Sequence, residues 1–69
     1  MTKIYEFIGE QFLGKSFRFT CDCIIAIDVK GRVVEWSTAQ HELMLHVQTA
    51  EGKVIKIGTN TPGLAVEPL

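Results

Sequence analysis

The sequence lacks any long hydrophobic run, and this absence excludes one class of protein. No apolar stretch approaches the roughly 20 residues that a membrane-spanning helix requires. Neither end carries a basic segment followed by an apolar run of signal-peptide length. We therefore expect a soluble, cytoplasmic protein that does not insert into a membrane.

The chain also lacks a net charge of either sign, since 7 basic and 8 acidic residues leave a charge of −1. It has no long-range field to attract nucleic acid or an anionic membrane. Lysines near hairpin turns and sheet edges more often keep sheets soluble than bind phosphate. The basic residues at the two predicted turns are Lys30, Arg32, Lys53 and Lys56. Charge argues against a nucleic-acid partner, and a small nucleic-acid-binding β-barrel is kept as the alternative.

Cysteine is scarce, and the two residues, Cys21 and Cys23, are separated by one position in an apparent strand. Same-face side chains there lie about 7 Å apart, whereas a disulfide requires Cβ atoms about 3.5 to 4.5 Å apart. We expect free thiols, which agrees with a reducing compartment. The two cysteines and His41 would make a zinc-like ligand set, but the second ligand pair typical of structural zinc sites is absent. The sequence therefore predicts no metal and no other cofactor.

A catalytic constellation is not evident from the residue order. His41 and His46 lie five positions apart in or near one strand, so they should point to opposite faces. Without a fold, neither Ser16 nor Ser37 can be matched with a base. The glycines stand at predicted turns, not in a phosphate-binding loop. No catalytic residue is predicted, and an enzyme whose site forms between subunits is a second alternative.

Alternating apolar residues are the strongest positive signal. Over residues 17–29 apolar side chains occupy almost every second position, which predicts one long strand with one buried face. This length is unusual for a single strand, so a bend or bulge is expected in its middle. Lys30 and Gly31 then predict a two-residue turn, because a hairpin there pairs Ile27 with Val34 and gathers apolar side chains on one face.

A third strand is predicted over residues 43–47, after a polar connection at residues 37–40. The length of the next loop, residues 50–52, is predicted by the same kind of pairing test. A three-residue loop places Val47 opposite Ile55, so the pattern selects a type I turn followed by a glycine bulge at residue 52.

The two ends of the chain carry weaker patterns. Apolar residues over 2–13 fall at helical spacing, and Gly14 follows where a glycine often ends a helix. Residues 3–8 also fit a short strand, and the helix is the favoured interpretation. Near the other end, a short strand over residues 64–67 stops before Pro68.

These elements predict a mainly β fold: a small five-stranded antiparallel barrel or rolled sheet with a short N-terminal helix, in one domain of residues 1–69. The helix, the curled strands and the Pro62-Gly63 turn resemble SH3-like or Sm-like small barrels in architecture. The Sm-type segment that lines an RNA pocket with Asp and Asn has no counterpart around residues 43–48. The resemblance therefore implies an architecture and no site residues.

The high apolar content predicts self-association. Hydrophobic residues make up 46% of only 69 residues, and a chain this short buries too little surface to be stabilised easily alone. Packing against another subunit is a physical use for outward apolar side chains. The candidate contact face is Ile24, Ala26, Val33, Met44 and Val54; alternatively, the helix covers these residues. We predict a non-catalytic, self-assembling or protein-binding module that forms a homo-oligomer.

Overall fold

The computed structural model describes residues 2–22 and 26–69, with side chains described from Glu6 onward. One helix and five strands follow in chain order: α1 (Thr2–Phe12), β1 (Ser16–Cys21), β2 (Ile27–Ala39), β3 (Glu42–Gln48), β4 (Val54–Gly58) and β5 (Leu64–Pro68). The strands form one antiparallel sheet in the order β4-β3-β2-β1-β5. The predicted mainly β class and the short N-terminal helix are confirmed.

The sheet is open. β4 and β5 are its outermost strands, and in the described part of the chain no ladder joins them. The predicted barrel is therefore not confirmed, and neither is the SH3-like or Sm-like arrangement. The structure has five antiparallel strands in one sheet with one short helix.

The hydrophobic core lies on one side of this sheet. Leu43, Leu45 and Val47 alternate along β3 with half-buried or exposed neighbours, as the period of two predicted. We call the surface that carries these three residues the core face and the opposite surface the outer face. Three further buried residues complete the central cluster: Phe19, Val33 and Ile57.

Helix α1 covers part of the core face. Gly9 lies against the indole of Trp36, and Phe12 packs on the ring of Phe17 with centroids 5.1 Å apart. The helix ends as predicted: Gly14 has φ 79°, and its N–H donates to the carbonyl oxygen of Val33 at 2.8 Å. A positive φ there favours glycine, because it has no Cβ to clash with the backbone.

The hairpin predicted at Lys30 and Gly31 is wrong. β2 runs through both residues, which pair with Arg18 and Phe17 of β1. The predicted long strand is therefore two strands, β1 and the beginning of β2. Their connection falls in residues 22–26, part of which lies outside the described residues.

A tertiary contact, not a turn, explains the glycine at position 31. A Cβ built on Gly31 would stand 2.4 Å from the carbonyl oxygen of Gln48 and 2.7 Å from Cγ1 of Val47. The end of β3 thus lies too close to β2 for any side chain at residue 31. A glycine that permits close backbone approach produces the same sequence signal as a glycine in a turn.

The two-residue turn of the sheet stands at Gln40 and His41, where β2 meets β3. Both residues have positive φ, 50° and 63°, although neither is glycine. Two consecutive residues in this region are typical of a type I′ hairpin turn. The polar connection predicted at residues 37–40 is therefore mostly strand, because β2 continues to Ala39.

The loop between β3 and β4 is confirmed in detail. Val47 pairs with Ile55, and Gly52 has φ 85°. The N–H of Gly52 donates to the carbonyl oxygen of Thr49 at 2.9 Å, as the predicted turn and glycine bulge require. The predicted last strand is also present as β5, but it does not stop before Pro68, which pairs with Phe17.

Candidate functional site

The predicted contact face does not form one surface. Val33 is 0% exposed and belongs to the core, so its assignment to an outward face is wrong. Met44 and Val54 lie on the outer face, on β3 and β4, and Ala26 is exposed just before β2. Ile24 lies outside the described residues.

The register explains the error at Val33. Val33 pairs with Val47, whose side chain points to the core face, and paired residues of an antiparallel ladder share a face. The alternative that α1 covers the contact residues agrees with the position of Val33, which belongs to the core cluster that Phe12 of α1 packs against. It does not hold for Met44 or Val54, because the helix lies on the opposite side of the sheet.

One edge of the sheet presents unpaired backbone groups and apolar side chains together. The N–H of Thr49 donates to the carbonyl oxygen of Lys53 at 2.8 Å, and the N–H of Thr59 donates to that of Leu43 at 2.9 Å. Hydrogen-bonded pairs recur at every second residue of an antiparallel ladder. Odd-numbered residues of β4 therefore bond to β3. Val54 and Lys56 therefore direct their N–H and C=O groups away from the sheet, whereas the carbonyl oxygen of Gly58 already accepts from the N–H and Oγ1 of Thr61.

Apolar side chains accompany this backbone edge. Val54 is 53% exposed on the outer face, and Ile55 is 36% exposed on the core face. Beside Ile55 the open sheet leaves a cavity of about 400 Å³ between β4 and the beginning of β2. Its apolar lining is Ala26, Ile27, Val29, Ile55 and Ile57.

The edge at β5 is better protected. The N–H of Leu69 donates to the carbonyl oxygen of Ser16 at 3.1 Å, which fixes the phase of the β1–β5 ladder. Residues 64, 66 and 68 then face away from β1. Pro68 has no N–H to offer at such a position, and Glu67 adds a charge beside it. Proline and charge on an edge strand are common obstacles to pairing with another strand.

A polar group on the outer face has geometry of chemical interest. Oγ of Ser37 lies 2.8 Å from Nε2 of His46, within hydrogen-bond distance. On the other side of the ring, Nδ1 of His46 lies 3.6 Å from Oε2 of Glu35. The His46 side chain is 13% exposed, while Glu35 is open to solvent. The hydroxyl of Ser37 and the carboxylate of Glu35 thus lie beside the two different nitrogens of one imidazole.

A β-bulge brings these three residues together. The ladder between β2 and β3 shifts between Val33 and Glu35, so Val34 is the extra residue. Glu35 therefore lies opposite His46 on the outer face, whereas an unbroken alternation would turn it toward the core. For this reason the contact between Ser37 and His46 could not be predicted from the sequence. The sequence offers one signal for the bulge: a residue before Trp36 interrupts the alternation of apolar and polar side chains.

The outer face carries mixed charges. Arg18 donates two hydrogen bonds to Asp28, from Nε to Oδ1 at 3.1 Å and from Nη2 to Oδ2 at 3.0 Å. These bonds hold the pKa of the Asp28 carboxyl below its ordinary value. The pair lies beside Lys30 in the same ladder region. Basic residues here are interspersed with carboxylates, so this surface has no uniform positive stripe to support the nucleic-acid alternative.

Cys21 behaves as a core residue. Its side chain is buried, and Sγ–H donates to the carbonyl oxygen of Pro62 at 3.2 Å. Cys23 lies outside the described residues, so the Cys21, Cys23 and His41 ligand set stays a hypothesis. Across residues 2–22 and 26–69, no three His, Cys, Asp or Glu side chains are grouped to hold a metal ion.

No helix in the described ranges has the length and apolar character needed to cross a membrane. Comparison with protein-family models, curated proteins and solved structures finds no match for this chain.

Proposed function

We propose that this chain is a self-assembling module whose copies pair through the edge of β4. The observation that carries the proposal is the coincidence, on one strand, of outward-directed backbone groups with the exposed side chains of Val54 and Ile55. An edge strand of this kind is a template for another strand. The β5 edge, with Pro68, offers a poorer template.

A second copy of β4 fits this edge in an antiparallel, two-fold arrangement. Only the outward residues can form hydrogen-bonded pairs across such a junction, so Val54 of one copy faces Lys56 of the other. In this register Ile55 meets Ile55 of the partner as a non-hydrogen-bonded pair, in which side chains approach most closely. The pairing also keeps the core faces of both copies on the same side.

The charge on Lys56 selects between registers. A junction centred on Lys56 would place two ammonium groups directly opposite each other, which is unfavourable. Centring the junction on Ile55 instead lays Val54 beside the aliphatic stem of the partner's lysine. Two hydrogen-bonded pairs, each exchanging two bonds, give about four new backbone hydrogen bonds. The strand is therefore self-complementary in one register and not in its neighbour.

The test removes one backbone donor without touching the fold. Lys56→Pro deletes an N–H that points away from β3, so its intramolecular ladder stays intact, as at Pro68 of β5. Lys56→Ala removes the same side chain and keeps the donor. We expect light scattering to give twice the chain mass for the native protein and for Lys56→Ala, and the single-chain mass for Lys56→Pro.

A second pair of variants examines the apolar contribution. Ile55→Asp should dissociate the dimer, because it places two carboxylates face to face. Val66→Asp is the matched control, since Val66 is 38% exposed on the other edge strand. A native protein that is monomeric at every concentration would contradict the proposal. So would a dimer dissociated by Val66→Asp and unaffected by Ile55→Asp, which would move the junction to β5.

A further inference from the structure

We propose that Ser37 is a nucleophile activated by His46, with Glu35 as the orienting carboxylate, and that it accepts acyl groups from activated esters. This inference goes beyond self-assembly and amends the expectation that the module is non-catalytic. It rests on the contacts Ser37 Oγ to His46 Nε2 at 2.8 Å and His46 Nδ1 to Glu35 Oε2 at 3.6 Å. A nucleophile, a base within hydrogen-bond reach and a third group oriented toward the base form the general pattern of activated hydroxyls.

The two ring nitrogens of His46 have different partners, which defines their roles. A carboxylate near Nδ1 favours the tautomer with the proton on that nitrogen. Nε2 is then free to accept the hydroxyl proton of Ser37. The separation of 3.6 Å exceeds a hydrogen bond, so Glu35 acts mainly through its charge until the ring is protonated. Such contacts commonly tighten when substrate binds.

The scaffold holds the group in place. Ser37 and Glu35 belong to β2 and His46 to β3, and the two strands are paired with each other along this stretch. The half-buried positions of Ser37 and His46 limit the rotamers available to the hydroxyl and the imidazole. Sites built on strands are more precise than sites on loops. The bulge at Val34 directs Glu35 to the imidazole, a use of bulges that is frequent beside active sites.

The proposed reaction transfers an acyl group from the ester to Ser37 and then to water. Oγ of Ser37 attacks the ester carbonyl while Nε2 of His46 takes the hydroxyl proton, and the carboxylate of Glu35 stabilises the imidazolium. The ester C–O bond then breaks, and the leaving alcohol receives the proton from Nε2. This leaves an acyl group on Ser37. Water, deprotonated by His46, hydrolyses the acyl-serine to a free acid and restores the hydroxyl.

The surface position of the site determines the substrate class. The N–H groups of Ser37 and His46 themselves are used in the ladder between β2 and β3, so neither of them is directed at a substrate. The developing oxyanion is therefore hydrated instead of being held by a dedicated pair of N–H groups. Esters with good leaving groups, such as aryl esters, need the least oxyanion stabilisation. We expect rapid acylation of Ser37 by these esters and slow turnover.

A purely structural role for the Ser37–His46 hydrogen bond makes a different prediction. It would stabilise the sheet and leave Ser37 no more reactive than an ordinary serine. The chain contains one other serine, Ser16, which is exposed at the start of β1 and provides an internal control. Accessibility favours Ser16, so preferential labelling of Ser37 requires chemical activation.

The experiment is covalent labelling with an alkyl fluorophosphonate and, separately, with p-nitrophenyl acetate, followed by intact-mass measurement and peptide mapping. We expect Ser37 to be labelled at least about tenfold faster than Ser16, a small part of what a positioned base contributes. His46→Gln should remove this preference, and Glu35→Gln should reduce it partly. Ser37→Ala should remove the fast fluorophosphonate adduct and leave only the slow labelling of Ser16, which separates serine labelling from direct acylation of the imidazole.

Thermal unfolding of each variant shows whether it is folded before labelling. Equal labelling of the two serines in the native protein would overturn the proposal, and so would a folded His46→Gln variant labelled as fast as the native chain. The Ile55→Asp variant separates labelling from self-assembly, because Ile55 lies on the core face and the site on the outer face. Labelling of the Ile55→Asp variant should match that of the native chain, whichever way the mass measurement falls.

Discussion

Gly9 and Trp36 approach so closely that no side chain fits between them. A Cβ placed on Gly9 would stand 2.6 Å from both Cγ and Cδ2 of the indole. The contact sets the distance at which α1 covers the core face, and Phe12 then reaches the ring of Phe17 one turn later. The glycine that weakens the helix as an isolated segment is therefore the residue that allows it to dock.

This relationship predicts the sign of a substitution. In an exposed helix, Gly9→Ala would stabilise by about 1 kcal/mol. Here the added methyl group must displace the indole, and overpacking of this kind costs about 1–3 kcal/mol. We expect a net decrease in the free energy of unfolding, measured by urea denaturation. In a Trp36→Leu background the same substitution should lose most of its cost, and a Gly9→Ala variant more stable than the native protein would contradict the packing argument.

Gly31 should be less tolerant than Gly9. The nearest atom to its added Cβ is the backbone oxygen of Gln48, at 2.4 Å, which cannot rotate away as a side chain can. We expect Gly31→Ala to destabilise by about 3 kcal/mol, at the upper end of overpacking costs. Lys30→Ala, next to it on the exposed outer face, should change stability by less than about 0.5 kcal/mol. Similar urea midpoints for the two variants would argue against a close approach of the end of β3 to Gly31.

The same residue shows what the sequence could and could not predict. Period-two alternation identified β3 correctly, and the pairing test identified the bulge at Gly52, because both depend on neighbours within one hairpin. Lys30-Gly31 passed the same test by chance. Its glycine is explained by a contact with Gln48, which is distant in sequence. Conversely, Gln40 and His41 form the turn without the glycine or asparagine that announces one.

The candidate sites also combine features that could be predicted from the sequence with features that could not. Exposure of Val54 could be predicted, because it stands next to a correctly placed turn. Val33 was assigned to the wrong face because the incorrect hairpin at Lys30-Gly31 reversed the sense of the residues after it. The meeting of Glu35 with His46 could not be predicted, since it depends on the bulge at Val34. A bulge reverses the inward and outward sense of the residues after it, and only the complete ladder shows where that reversal occurs.

The Arg18–Asp28 pair predicts part of the acid sensitivity. Its hydrogen bonds lower the pKa of Asp28 in the folded state relative to the unfolded chain. Stability from a lowered carboxyl pKa is fully present at neutral pH and is lost as the pH falls below about 4. We expect Asp28→Asn to be slightly less stable than the native protein at pH 7, with the difference disappearing in acid. The effect should be small, because both side chains are exposed.

The control for this prediction is Glu51→Gln, which removes one negative charge from an exposed turn. Its stability should follow that of the native protein from neutral pH into acid. Urea midpoints recorded across this range distinguish a specific pair from a general change of net charge. A constant gap between Asp28→Asn and the native protein at all pH values would show that the lost contact is not linked to protonation.

The β2–β3 turn predicts a stabilising substitution. Gln40 is held at φ 50°, a region in which most side chains crowd the following carbonyl oxygen and asparagine is tolerated best. Gln40→Asn should therefore raise the free energy of unfolding by about 0.5 kcal/mol, because asparagine leads the residues of type I′ turns. Gln40→Ala is the matched control: it shortens the side chain but keeps the Cβ crowding, so it should bring no gain. If alanine stabilised as much as asparagine, the cause would be loss of the glutamine side chain, not relief of backbone strain.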